Sequence, residues 1–476
     1  MAEKVRKLIN DYPGMRWAAL ILIALMMLFG YMFVDVMSPL QQLVEAERGW
    51  TPDAFGTYAS SEYLLNVCGF LILAGIILDK MGIRFTGKLS ASMMFIGAAI
   101  KFIAVSGWFQ ETALCAWLNS WWVSMPGSAK LASLGFMIFG CGCEMAGTTV
   151  SKAIAKWFKG KEMAMAMGVE MAIARIGVFA IFSISPLLAD KMGSIQGPVG
   201  FCTVLLLIGL INFMVFSVMD KKFDNQLKEA GRLEKGENEE EFKVSDLKKI
   251  FKSRSFWVVA ILCVLYYSAI FPFQRYGANM LQCNLDGISA KAASDIFRWF
   301  PVGAAVITPF LGRYLDTKGK GATMLIFGSL LLIICHLVFA FLLPATHSHL
   351  LAYSTIVVLG VSFSLVPAAL WPSVPKIIDE KILGSAYNLI FWVQNIGLCL
   401  VPMLIGSVIT SSNVNNPAVV AAKATGAEFI PYNYTVPLII FACFGVAAFV
   451  IALYLKVIDK KMGLNLEMPN IIKEEA

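Results

Sequence analysis

Two residues whose types could do recognition chemistry, Glu144 and Arg175, stand in otherwise apolar stretches of the sequence. A carboxylate accepts from an ammonium group, and a guanidinium forks onto a carboxylate with two charge-assisted hydrogen bonds. Held at a suitable separation, such a pair grips both ends of a zwitterion. Charge logic alone leaves a second reading equally open, a structural salt bridge that pins two elements and spares each an unpaired buried charge costing roughly 3–5 kcal/mol. Four further charges, Asp35, Glu62, Arg275 and Arg298, suit a gate or an ion-coupling site. Tyr31, Tyr267, Trp371, Trp392 and Asn395 supply the aromatic walls and amides of a tolerant pocket, although aromatic packing between elements explains them as readily. Lys101 and Glu170 read as snorkelling or packing residues.

The elements that must position these groups are membrane helices. The chain has 476 residues, 58% hydrophobic and only 15% charged, whereas a soluble chain is about a quarter charged. That excludes a soluble enzyme, a disulfide-rich secreted domain and a disordered tail. Apolar runs between charged or Pro/Gly breaks predict twelve spans, near 17–38, 55–78, 88–108, 131–155, 163–188, 196–219, 255–281, 290–315, 322–343, 350–374, 383–410 and 433–456. With both termini inside, 30 of the 39 Lys and Arg fall on cytoplasmic segments, as the positive-inside rule requires. The net charge of +7 is therefore topology, and nucleic acid is not called for. The polar stretch 220–254 divides the chain into an N-terminal bundle, 1–219, and a C-terminal bundle, 255–476. At about 1.5 Å per residue, Glu144 lies about 20 Å and Arg175 about 18 Å from the inner ends of the fourth and fifth spans. Asp35, Glu62, Arg275 and Arg298 lie about 25–28 Å from the inner face. Asp35 and Arg275 occupy the first helices of the two halves, which suits an outer gate.

The halves echo each other. Gly75, Asp79, Gly82 and Arg84 follow the second span, and Gly312, Asp316 and Gly319 follow the eighth at a constant offset of 237. Parallel six-helix repeats mark rocker-type secondary transporters. The GxxxDxxGxR loop resembles that of the major facilitator superfamily. Within it, GCGCEM at 140–145, KWFKGKE at 156–162, ARIG at 174–177, YYSAIFPF at 266–273, AALWPSV at 368–374 and QNIG at 394–397 are similar to the lysosomal dipeptide transporter family. The resemblance implies facilitated movement of short peptides, with the fourth and fifth spans reading the substrate's charged ends through Glu144 and Arg175. The sequence departs from that family at Lys101, at Glu62 and at Leu134-Gly135-Phe136, where a basic residue is usual.

The expectation is thus an all-α carrier of dipeptides or similar zwitterions working by alternating access, uniport favoured and proton coupling open. Partners are the bilayer and the substrate, the state monomeric, with no cofactor and no metal. Ten scattered Cys and three His form no zinc pattern. A bacterial inner membrane fits, with a lysosomal membrane as the eukaryotic alternative. The rival readings are a carrier of small organic anions and a non-transporting sensor or scaffold that keeps the fold.

Overall fold

The computed structural model describes residues 8–229, 250–378 and 382–469. All regular elements among them are helical. A bilayer offers the backbone no hydrogen-bond partner, so a spanning segment satisfies its N–H and C=O groups internally, as a helix does. The first half builds α1 (Pro13–Asp35), α2 (Pro52–Leu65), α3 (Leu71–Val105), α4 (Gly127–Phe158), α5 (Met163–Met192) and α6 (Gln196–Glu229). The second builds α7 (Arg254–Asn284), α8 (Ala290–Phe297), α9 (Trp299–Lys318), α10 (Gly321–Leu337), α11 (His349–Ile377), α12 (Leu383–Ser412) and α13 (Thr435–Met462).

Among the described residues, ten helical stretches are long and apolar enough to cross a membrane. One of them, Pro52–Val105, has 54 residues and would reach about 80 Å if straight, against a hydrocarbon core of about 30 Å. It breaks at Gly82, whose φ of 73° and ψ of 172° are not helical. The stretch expected at 290–315 is divided at Arg298 into α8 and α9, and it is not one of the ten. Helix α6 runs on to Glu229, inside the expected linker, and residues 230–249 lie outside the described ones.

The 237-residue repeat reaches the backbone. Gly82 and Gly319 both have positive φ, 73° and 72°, a region open to glycine at little cost. Their surroundings differ. A Cβ on Gly82 would meet nothing within 4 Å, whereas one on Gly319 would stand 2.3 Å from the Glu467 carbonyl oxygen. The segment after α13 seats there: Lys320 N–H donates to Glu467 O at 2.9 Å and Gly321 N–H to Leu466 O at 3.1 Å. Gly75 and Gly312 face open space, so close helix approach does not account for glycine there. Asp79 accepts from Lys152 at 3.0 Å, while Arg84 and Lys156 each reach Asp224 at 2.7 Å on α6. On this same cationic face Arg16 holds Glu162 at 2.6 Å, and that hydrogen bond keeps the Glu162 carboxyl below the ordinary carboxylate range.

Helices pack mainly within each half, α3 on α4, α1 on α5 and α6, α9 and α10 on α11, and α10 on α13. Small residues let membrane helices approach: a Cβ on Gly135 would lie 2.5 Å from Gly97 O, and one on Gly140 would lie 1.9 Å from Glu62 O. The halves meet chiefly through α2 on α12, α5 on α8 and α9, and the turn Ser38–Leu40 on α7. Where α2 begins, on the face away from the cationic loops (the far face), a Cβ on Gly56 would stand 2.4 Å from Pro402 O and one on Gly406 2.3 Å from Pro52 O. Gly56→Leu is therefore expected to leave the N-terminal half folded and to prop the far face apart. Spin-label distances across that face would lengthen with little change in melting temperature.

Candidate functional site

The far-face charges meet around one guanidinium. Arg275 on α7 contacts Asp35 of α1 at 3.1 Å and Glu62 of α2 at 2.5 Å, and it also donates to the Val34 carbonyl. Gln274 donates to the other Asp35 oxygen at 2.6 Å and Ser38 to the first at 3.2 Å. Gln41 caps the arrangement by donating to the Arg275 carbonyl at 2.7 Å. Arg275, Asp35 and Glu62 are all buried. One cation from the second half thus bridges two acids from the first. Arg298, expected with this group, does not join it: it bonds Asp295 at 3.2 Å and Ser183 of α5 at 2.7 Å, with its guanidinium over Phe179 at 5.1 Å.

Glu144 follows Gly140 by four residues, about 6 Å along α4, so it sits one turn nearer the cationic face than Glu62, against whose backbone Gly140 packs. The structural salt bridge between Glu144 and Arg175, the second reading of the pair, does not form; Glu144 and Arg175 are each only partly buried. Arg175 instead lays its guanidinium over Phe363 of α11, at 5.2 Å. Arginine favours such a face because its planar cation is weakly hydrated. Tyr31 of α1 lies within electrostatic reach of Glu144, Glu170 and Arg175 and is 38% exposed. The two recognition charges therefore do not pair with each other, and each is only partly buried near one phenol.

Opposite them the second half presents a wall of rings. Tyr267 stacks on Phe271 at 5.5 Å, Phe271 meets Phe363 edge-on at 5.6 Å, and Trp371 stacks on Phe391 at 4.9 Å. The Trp371 indole donates to Tyr267 Oη at 3.2 Å, which fixes both rings. Asn395 gives its amide to Phe391 O at 2.9 Å, leaving a buried Oδ1 with no partner. Trp392 crosses between halves and donates to Val67 O at 2.9 Å. Phe271, Phe363 and Phe391 are the wall residues that sequence reasoning misses; no spacing separates them from the other 31 phenylalanines. Tyr266 belongs to the core, its hydroxyl on Ser362.

Lys101 does not snorkel. It has no exposed surface, and its Nζ has no hydrogen-bond partner. Three rings surround it, Phe33 at 4.2 Å, Phe136 at 4.8 Å and Tyr58 at 5.0 Å. Gly135 and Phe136 thus sit against the lysine of α3, so two of the departures noted in the sequence are one neighbourhood. All ten cysteines are free, and no cluster of His, Cys, Asp and Glu fit for a metal occurs among the described residues.

Long apolar helices in two halves, joined at a buried charge cluster beside an aromatic wall, are the architecture of a multi-pass membrane transporter. The sequence model of the Major Facilitator Superfamily matches residues 20–402, and the chain belongs to that family. It is similar to the human lysosomal dipeptide transporter MFSD1, 27% identical over 384 residues that cover 76% of each chain. The Bos taurus protein of the same name is 28% identical over 70% of this chain and 67% of its own. Among solved structures, the nucleoside transporter NupG superposes with a TM-score of 0.64 at 16% identity, covering 93% of this chain and 99% of that one. A bacterial homolog of the human lysosomal transporter Spinster, inward-facing and occupied, gives 0.64 at 14%, covering 96% and 99%. These two likenesses concern the fold.

Proposed function

We propose that the chain carries dipeptides, or zwitterions of like size, across the membrane by alternating access. The observation that carries this reading is that Glu144 and Arg175, two opposite and partly buried charges near Tyr31, leave each other unpaired. A zwitterion completes both: its ammonium goes to Glu144 and its carboxylate to Arg175. The rings of Tyr267 and Trp371 and the free Oδ1 of Asn395 receive the rest, and apolar walls accept varied side chains. Asp35, Glu62, Arg275 and Arg298 form the gate on the far side, and Trp392 joins the halves beneath it.

The loop residues Gly75, Asp79, Gly82, Arg84, Gly312, Asp316 and Gly319 serve the rocking of two bundles, residues 1–219 and 255–476. Division of Pro52–Val105 at Gly82, with the α8–α9 pair added, brings the spans to twelve. The cationic face is cytoplasmic, the protein a monomer of a bacterial inner membrane, and net flux follows the peptide gradient. Similarity to the dipeptide transporter sequences supports the substrate class.

Counterflow into proteoliposomes is the test. Labelled dipeptide should enter vesicles preloaded with dipeptide and not those preloaded with single amino acids or simple carboxylates. Exchange with carboxylates alone would replace the peptide reading by an organic-anion carrier.

A further inference from the structure

The charge cluster on the far face contains one cation that the gate leaves unused. Arg275 comes from the second half, whereas Asp35, Glu62 and Lys101 all belong to the first. Phe136 lies between the two cations, 4.8 Å from Lys101 Nζ and 5.8 Å from the Arg275 guanidinium. The cage around Lys101 is built next to the acids in sequence: Phe33 precedes Asp35 by two residues, and Tyr58 precedes Glu62 by one helical turn. Tyr58 Oη, like Lys101 Nζ, is buried without a hydrogen-bond partner. The charged and titratable groups within reach of Lys101 are Asp35 on α1, Glu62 on α2, Cys202 on α6 and Arg275 on α7.

Separating the halves withdraws Arg275 and strands two buried carboxylates in the first half. A buried carboxylate without a partner is among the costliest arrangements a membrane interior can hold. We propose that Lys101 is the resident counter-ion of Asp35 and Glu62, a positioning residue held behind Phe136 while Arg275 is inserted and turned to the carboxylates when the far face opens. The inference rests on the rocking of two halves and not on the identity of the cargo.

Charge counting makes it testable without substrate. With Lys101 present, opening draws the single positive charge of Arg275 away from a net charge of −1. Removing Lys101 makes that −2, removing the charge of Glu62 makes it 0, and removing both restores −1. Spin labels at the exposed positions Val123 and Val420, with the exposed Cys68 and Cys443 replaced, report the ratio of open to closed far faces.

Lys101→Met should lower that ratio by about fivefold or more and Glu62→Gln should raise it by as much. The double variant should return close to the parent, and Lys101→Arg should keep the parent ratio. An unchanged ratio in Lys101→Met, or a double variant that behaves like Glu62→Gln alone, would overturn the proposal and leave Lys101 as packing. Lys101→Gln replaces the methionine variant if the latter fails to insert.

Discussion

Arg175→Ala is expected to lower dipeptide counterflow by about a hundredfold in kcat/KM, the loss appearing mainly in KM. Two charge-assisted hydrogen bonds to the peptide carboxylate disappear, each worth about 1.5–3 kcal/mol net, and part of that is recovered by water in a partly open site. Arg175→Lys keeps the charge but not the fork, and should fall between the two. The substrate supplies its own control. A dipeptide with an amidated C-terminus should be a poor cargo for the parent, and the alanine variant should no longer tell it from the free acid. If Arg175→Ala keeps that discrimination while transport falls, the guanidinium reads something other than the carboxylate, and its seat over Phe363 is structural. Glu144→Gln is the mirror experiment, with N-acetylated dipeptide as the probe.

Arg275→Gln carries the second large effect. The guanidinium is bonded to Asp35 and Glu62 at once, and breaking a buried pair by deleting one partner costs about 3–5 kcal/mol. That penalty is largest in the arrangement in which the halves meet on the far face and exclude water. The variant should therefore insert normally, lose transport, and expose the far ends of α2 and α12 to impermeant thiol reagents at engineered cysteines. Adding Asp35→Asn and Glu62→Gln removes the stranded charges, so the triple variant should close again even though its gate has no ion pair. Failure of the triple variant to close would mean that Arg275 acts through its bond to the Val34 carbonyl and not through charge.

Depth along a helix is what a single sequence yields best, and the gate was legible for that reason. Counting residues puts Asp35, Glu62, Arg275 and Arg298 at one height; in the structure the first three touch, while Arg298 turns to Asp295 and Ser183. The azimuth of a side chain, and which helix of the other half it faces, are much harder to read. Glu144 and Arg175 sit at matching depth, and sequence logic pairs them, yet Arg175 turns to Phe363 from the second half. Lys101 fails the same way: a long cationic side chain suggests snorkelling to water, and only the convergence of α1, α2 and α4 reveals a ring cage. The loop glycines split along a similar line. Positive φ at Gly82 and Gly319 is local chemistry that the repeat foreshadows, while Gly75 and Gly312 repeat in sequence without any close contact to explain them.

The matched turns at Gly82 and Gly319 also differ in their freedom. The first has open space at the glycine and side-chain ion pairs around it, whereas the second is stitched to the segment after α13: Glu467 takes the backbone N–H and hydroxyl of Thr323, at 2.7 and 2.9 Å, and Lys376 reaches Met468 O at 2.9 Å. Two halves built to one plan are therefore unlike as machine parts: the second is stitched through backbone and side chain like a stator, while the first is held at the corresponding turn by the ion pairs of Asp79 and Arg84, the looser coupling that a rotor would need.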